Sequence, residues 1–138
     1  VDRLKVAVID GLGGGLGSQI VSKLNKQFGD RLKVLALGTN AGATSKMIAN
    51  GADEGATGEN AIVINVKKVD IIIGPLGLII PNSMKGEITT VMAEAIAGSK
   101  AKKIIIGMKQ PHVELVGVSN KSLNELIEEA IEQIKNHI

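Results

Sequence analysis

The sequence predicts a single α/β domain of three layers, in which helices cover a mostly parallel sheet that carries one antiparallel strand at its edge. Two observations carry this expectation. Short β-branched apolar runs alternate with segments of helical apolar spacing through most of the chain, the pattern of strands whose parallel neighbours are reached through helices. Residues 4–20 then read as a strand, a glycine-rich turn and a helix start, from Lys-Val-Ala-Val-Ile through Asp10-Gly-Leu-Gly-Gly-Gly-Leu-Gly17 to Ser-Gln-Ile. At 138 residues the chain fits one domain over 1–138, large enough to bury roughly two-thirds of its unfolded surface.

The elements follow in order. A strand over 4–9 leads into a helix in which Leu16, Ile20, Leu24 and Phe28 recur at helical spacing, ending at Gly29-Asp30. Lys33 to Leu37 form the second strand, and Asn40 stands where it can cap a helix running through Ala49, with Asn50-Gly51 as its stop. Ala52 to Glu54 read as a short strand. Residues 59–68 are ambiguous: Ile62, Val63, Ile64 and Val66 favour strand, whereas Thr57-Gly58-Glu59 reads as a helix entry. Helix is preferred, because Asp70 to Ile73 is a buried strand directly afterwards and a parallel neighbour needs a crossover.

Gly74 to Ser83 form an apolar segment broken by Pro75 and Pro81, expected as a loop. Helix returns over 88–98 and strand over Lys103 to Ile106. The link Met108 to Pro111 is too short for a crossover helix, so residues 113–117 are expected as the antiparallel edge strand. The last helix places Leu123, Leu126, Ile127, Ala130 and Ile134 on one face, with Glu125, Glu128, Glu129 and Glu132 largely opposite. If strand order reverses at the first strand, the connections after residues 9, 37 and 73 converge beyond the carboxyl ends of the strands, where ligands bind such sheets.

Composition removes several functions. The absence of cysteine excludes disulfides, thiol catalysis and thiolate metal sites. Phe28 is the only aromatic residue, so the stacking platforms of single-stranded nucleic-acid binders are missing. A net charge of +2 lacks the concentrated basic face that a phosphate backbone calls for, and Lys100, Lys102 and Lys103 read as a solvated connection. No nucleic-acid partner is expected. His112 and His137 do not form a pair at ligand spacing, so no metal site is expected either. The opening Val-Asp-Arg-Leu-Lys runs straight into a strand without a long apolar stretch, and no apolar segment reaches transmembrane length; no membrane association and a cytoplasmic location are expected.

The glycine turn is the chief chemical signal. A strand–turn–helix junction presents bare backbone N–H groups to a phosphate. A simple turn needs one or two glycines, whereas Gly11, Gly13, Gly14, Gly15 and Gly17 supply five. The dinucleotide spacing fails at its third glycine, where Ser18 stands, and no Gly-Lys-Ser/Thr follows to make a Walker phosphate loop. The register Gly11-x-x-x-Gly15-x-Gly17 resembles the cofactor loop of short-chain dehydrogenases and reductases. That resemblance implies NAD or NADP held at Asp10, Gly11, Gly13, Gly14, Gly15, Leu16 and Gly17. It extends to Gly74, Pro75 and Leu76, after the strand that resembles the family's cofactor-side strand. The family's Tyr-x-x-x-Lys pair is impossible in a chain without tyrosine.

Thr39 and Asn40 follow the second strand, where dinucleotide folds place an acid for the ribose 2′-hydroxyl. That acid is missing, and neutral donors there, with Thr44 and Ser45 nearby, tilt the expectation from NAD toward NADP; helix capping by Asn40 is the competing role. Asp10 is expected to shape the loop. Lys85, with Asn82 and Ser83, forms either a lid over an anionic ligand or a helix-entry loop capped by Ser83 or Thr89. A reductase also needs a proton donor, for which Lys85, Lys109, Ser83 and His112 are on offer. Lys85 and His112 are the catalytic candidates.

The joint pattern of Val-Ile-Asp-Gly-x-Gly-Gly-Gly, Ala-Leu-Gly-Thr-Asn, Gly-Ala-Thr-Gly-Glu-Asn-Ala and Gly-Pro-Leu-Gly-Leu-Ile-Ile-Pro-Asn-Ser-Met spans residues 4–118. It resembles a family of short bacterial proteins known as a domain of unknown function. The resemblance implies a stand-alone Rossmann-like protein and supplies no activity. The expected partner is a nucleotide or another small anionic ligand. Alternatives are a non-catalytic oligomeric sensor or scaffold, with residues 74–84 as the contact of a homo-oligomer, and a small enzyme acting on a phosphorylated metabolite.

Overall fold

The computed structural model describes residues 3–138; Val1 and Asp2, read above as part of the lead into the first strand, lie outside the described residues. Among the described residues five strands and five α-helices alternate: β1 (Leu4–Asp10), α1 (Gly15–Phe28), β2 (Leu32–Gly38), α2 (Ala41–Ala49), β3 (Glu54–Thr57), α3 (Glu59–Asn65), β4 (Ile71–Pro75), α4 (Thr90–Ala97), β5 (Lys102–Ile106) and α5 (Leu123–Lys135). They form one sheet of order β3-β2-β1-β4-β5 with every pair parallel. Order reverses at β1, so the chain leaves β1 toward β2 and leaves β4 toward β5, opening a crevice between their carboxyl ends.

Alternation along the strands decides which helices cover which face. Val6 and Val8 of β1, with Ile71 and Ile73 of β4, pack with Ile20 and Leu24 of α1 and Ile127 and Ile134 of α5. Ala7, Ile9 and Ile72 point the other way, into a layer of Ile62 from α3 and Met92 and Ile96 from α4. Burying one such Ile or Leu side chain contributes about 2 kcal/mol, which makes a one-residue register slip of a central strand costly on both faces. The last helix also buries Ile131, beside the expected Ile127, Ala130 and Ile134, while Leu123 stays at the surface.

The antiparallel edge strand expected over 113–117 does not form. β5 is itself the edge and runs parallel to β4, and beyond it only an isolated antiparallel bridge joins Gln110 and Val113. Strand propensity measures how well a residue fits a half-buried pleated surface. Val116 has no such surface, being 98% exposed, and His112 and Gly117 adopt left-handed φ of 63° and 89° that break extended backbone.

The third strand is Glu54–Thr57, displaced from the expected 52–54. Glu54, Gly55 and Ala56 are poor strand formers, and tertiary packing selects them. A Cβ on Gly55 would stand 2.5 Å from Ile48 Cδ1 and 2.9 Å from Thr44 Cγ2 of α2, so glycine lets those side chains lie against the sheet edge as they do. Asp53 prepares the pairing by accepting the Val34 N–H at 2.7 Å through Oδ2. The preferred helix over 59–68 is present as α3, which ends at Asn65. No helix among the described residues is long and apolar enough to cross a membrane.

Candidate functional site

The glycine turn joins β1 to α1 at the reversal point of the sheet. Gly14 sits in the left-handed region with φ 72° and starts the helix; its N–H donates to Gly11 O at 2.9 Å, and its own carbonyl accepts from Ser18 N–H at 2.9 Å. Gly17 N–H donates to Asp10 Oδ2 at 2.7 Å. Asp10 therefore ties the end of β1 to the first turn of α1, the loop-shaping role expected of it. The N–H groups of Gly13, Gly15 and Leu16 have no acceptor among the described residues, and all three residues line a cleft. They stand at the positive end of a 14-residue helix, where orphan donors and the helix dipole both favour an anion.

The five glycines divide into two groups. A Cβ on Gly11 would meet Thr39 Oγ1 at 2.5 Å, one on Gly14 would meet Ala43 Cα at 2.8 Å, and one on Gly17 would meet Asp10 Cβ at 2.8 Å. Packing disfavours a side chain at these three, most firmly at Gly14, where the atom met is backbone and φ is left-handed. Gly13 and Gly15 have nothing within 4 Å and need no left-handed φ, so the chain's own packing does not demand glycine at either. Both border the cleft.

Asp10 is buried, and burial outweighs the Gly17 and Gly11 N–H bonds to hold its pKa above the ordinary 3.8; the nearby Glu87 carboxylate adds to the rise. The folded state therefore binds this proton more tightly than the unfolded state. The charge on Asp10 costs stability that grows as pH climbs from the ordinary value through the raised one. Asp10→Asn keeps an acceptor for Gly17 N–H and removes the charge. The variant is expected to be more stable than wild type at neutral pH, with the gap closing toward pH 3.8, as read by chemical denaturation across that range. A gap that does not shrink on acidification contradicts this assignment.

The opposite wall of the cleft is built by Pro75, Leu76 and Gly77 after β4, Met84, and Met108, Lys109 and Gln110 after β5. Its volume is about 260 Å³, below the usual range for a drug-sized ligand and enough for a phosphate group and a small attached moiety. Ser83 is buried and donates its hydroxyl to Gly77 O at 2.5 Å, which pins the loop onto the residues after β4. Thr89, rather than Ser83, caps α4 by accepting the Met92 N–H at 3.1 Å.

Glu87 closes the other side of the glycine turn. Its Oε1 accepts the Leu12 N–H at 2.8 Å, the Thr39 hydroxyl at 2.5 Å and the Asn40 amide at 3.0 Å. These bonds, led by that from Thr39, hold its carboxyl below the ordinary 4.5. Backbone strain gathers around the knot, since Leu12, Asn82, Met84 and Lys85 all take left-handed φ between 50° and 66°. Asn40 also caps α2 by accepting the Ala43 N–H at 2.9 Å, and donates to Leu12 O at 2.9 Å.

Asp10, the loop from Gly11 to Leu16, Pro75 and Leu76 thus meet in one cleft, while Thr39 and Asn40 lie behind the turn and hold Glu87. Gly17 supports Asp10 from within α1, and Gly74 is packed against Ile9 and Leu78 instead of lining the cleft. Lys85 and His112 are not in the cleft wall, whereas Lys109 is. Glu87 is the residue that sequence reasoning missed. Its signal was faint: it is the only acid between Asp70 and Glu94, in a loop that follows a core strand.

A parallel sheet of order 3-2-1-4-5 with a glycine turn after its first strand defines a Rossmann-like α/β protein. A family model matches residues 5–138, and the chain belongs to that family, the domain of unknown function DUF3842. No curated protein matches the chain. Among solved structures, a dodecameric FMN-dependent UbiX-like decarboxylase from Escherichia coli O157:H7 is similar at 11% identity and a TM-score of 0.47, over 96% of this chain and 76% of that one. A universal stress protein in complex with cAMP is similar at 17% identity and a TM-score of 0.43, over 76% of this chain and 98% of that one. The ADP-L-glycero-D-manno-heptose-6-epimerase of Helicobacter pylori is similar at 16% identity and a TM-score of 0.46; 98% of this chain is covered but 51% of the epimerase.

Proposed function

We propose that this protein binds a phosphate group of a nucleotide or dinucleotide at the turn from Gly11 to Gly17. One observation carries the reading: Gly13 and Gly15 are glycines that the fold does not need, and they carry two of the three unpartnered N–H groups at the start of α1. A ligand that must approach this backbone closely gives both positions a reason to lack a side chain. Lys109, across the cleft, supplies a counter-charge. The phosphate and a small moiety fill the enclosed part, and the rest of a nucleotide passes over the turn to its other side, where Thr39 and Asn40 hold Glu87. Lys109 is also the one strongly basic side chain of the cleft wall, and thus the proton donor to test first for any reduction there.

The test is a melting-temperature series with NAD(H), NADP(H), ATP, AMP and inorganic phosphate. A ligand at about 100 times its dissociation constant adds roughly 2.7 kcal/mol, which for a chain of this size raises the midpoint by roughly 10 °C. No shift with any of them refutes the reading. Mass spectrometry of ligands carried through purification identifies which class is held.

Self-association is a second reading, favoured by Val116 and Val118, which are 98% and 58% exposed beside the open edge of β5. This places the contact beside β5 rather than on Leu78 of the 74–84 segment, which belongs to the core. A monomer by light scattering removes this reading.

A further inference from the structure

We infer that Glu87 is the ribose-selecting acid of this site and restricts it to nucleotides with an unmodified 2′-hydroxyl. The inference rests on the phosphate reading above and names the ligand class more closely. The end of β2 carries Thr39 and Asn40, neutral residues that read from sequence as donors for a 2′-phosphate. In the folded chain both donors are committed to Glu87, the hydroxyl at 2.5 Å and the amide at 3.0 Å. A carboxylate brought in from the loop before α4 therefore occupies the place beside β2 where an acid was missing. It lies against the first glycine of the turn: a Cβ on Gly11 would stand 3.0 Å from Glu87 Oε1.

The geometry leaves this acid half used. All three of its bonds fall on Oε1, and no donor among the described residues meets Oε2. A sugar with adjacent hydroxyls offers donors for that oxygen, whereas a 2′-phosphate brings two further negative charges to a carboxylate that three donors keep ionised. Asp10, on the other side of Gly11, adds to the repulsion when ionised. The expectation of NADP drawn from the neutral end of β2 is thereby replaced by a preference for NAD or an unmodified adenosine nucleotide.

Calorimetric titration of wild type and Glu87→Gln with NADH and NADPH tests the inference. Glutamine keeps an acceptor for Leu12, Thr39 and Asn40 while removing the charge. Wild type is expected to favour NADH by about tenfold or more, and the variant to narrow the ratio chiefly by gaining NADPH. Adenosine 5′-monophosphate against adenosine 2′,5′-bisphosphate on wild type makes the same comparison without a variant. Equal affinities for the members of each pair overturn the inference and leave the phosphate reading standing. Binding of both dinucleotides by the variant alone also overturns it, since Glu87 then acts by closing the crevice. Absence of binding by every nucleotide, to both proteins, removes both readings together.

Discussion

Gly15→Ala and Gly13→Ala are expected to weaken phosphate-ligand binding while leaving the fold as stable as wild type or more so. The added methyl at either position meets nothing within 4 Å, and neither residue needs a left-handed φ. Gly15 is the first residue of α1, where alanine gains about 0.5–1 kcal/mol over glycine by lowering the entropy of the unfolded chain. The same methyl stands beside the unpartnered N–H groups and takes the space that phosphate oxygens need. Affinity is expected to fall by about tenfold or more, because each lost N–H···O⁻ bond is worth roughly 1.5–3 kcal/mol. Calorimetry paired with thermal denaturation checks both halves. Unchanged affinity in both variants means that the turn is not the phosphate site, whatever their stability.

Gly74→Ala is expected to have the opposite profile, a large loss of stability with ligand affinity unchanged. Gly74 belongs to β4, which is paired on both sides, with β1 and with β5. A Cβ there would lie 2.5 Å from Ile9 O and 2.5 Å from Leu78 Cδ1. Leu78 could turn aside, but Ile9 O is backbone in the middle of the sheet, so relief requires β1 and β4 to part. Overpacking of a rigid core costs about 1–3 kcal/mol and more where backbone must move; a value of about 3 kcal/mol corresponds to a midpoint lowered by roughly 10 °C. Urea denaturation of the variant measures it. A midpoint equal to that of wild type contradicts the close approach of Gly74 to Ile9. The contrast with Gly15 separates a glycine that the fold needs from one that it does not.

The first half of the fold was legible because its signals are local. The strand over 4–9, the helix with Leu16, Ile20, Leu24 and Phe28, and the cap at Asn40 each follow from periodicity or from a residue meeting its own near neighbours. The ambiguous 59–68 segment was resolved by a topological argument, and α3 is there. Two expectations failed where no local signal exists. β3 is made of Glu54, Gly55, Ala56 and Thr57, chosen by the space left beside α2 and by pairing with β2. Residues 113–117 carry strand formers with no sheet surface to lie on.

By itself, then, the sequence determined an α/β chain with a glycine turn at the start of its first helix, and excluded thiol, tyrosine and Walker-type chemistry by the residues it lacks. Those properties depend on composition and on spacings within one or two turns of chain. Only the tertiary structure decided that the sheet is parallel to its edge, that Gly11, Gly14 and Gly17 serve the fold while Gly13 and Gly15 stand free, and that Glu87 closes on Leu12, Thr39 and Asn40. Each of these is a distance between atoms far apart in sequence, set by how helices and strands pack. Glu87 reaches Leu12 across 75 residues, and no spacing along the chain encodes that approach.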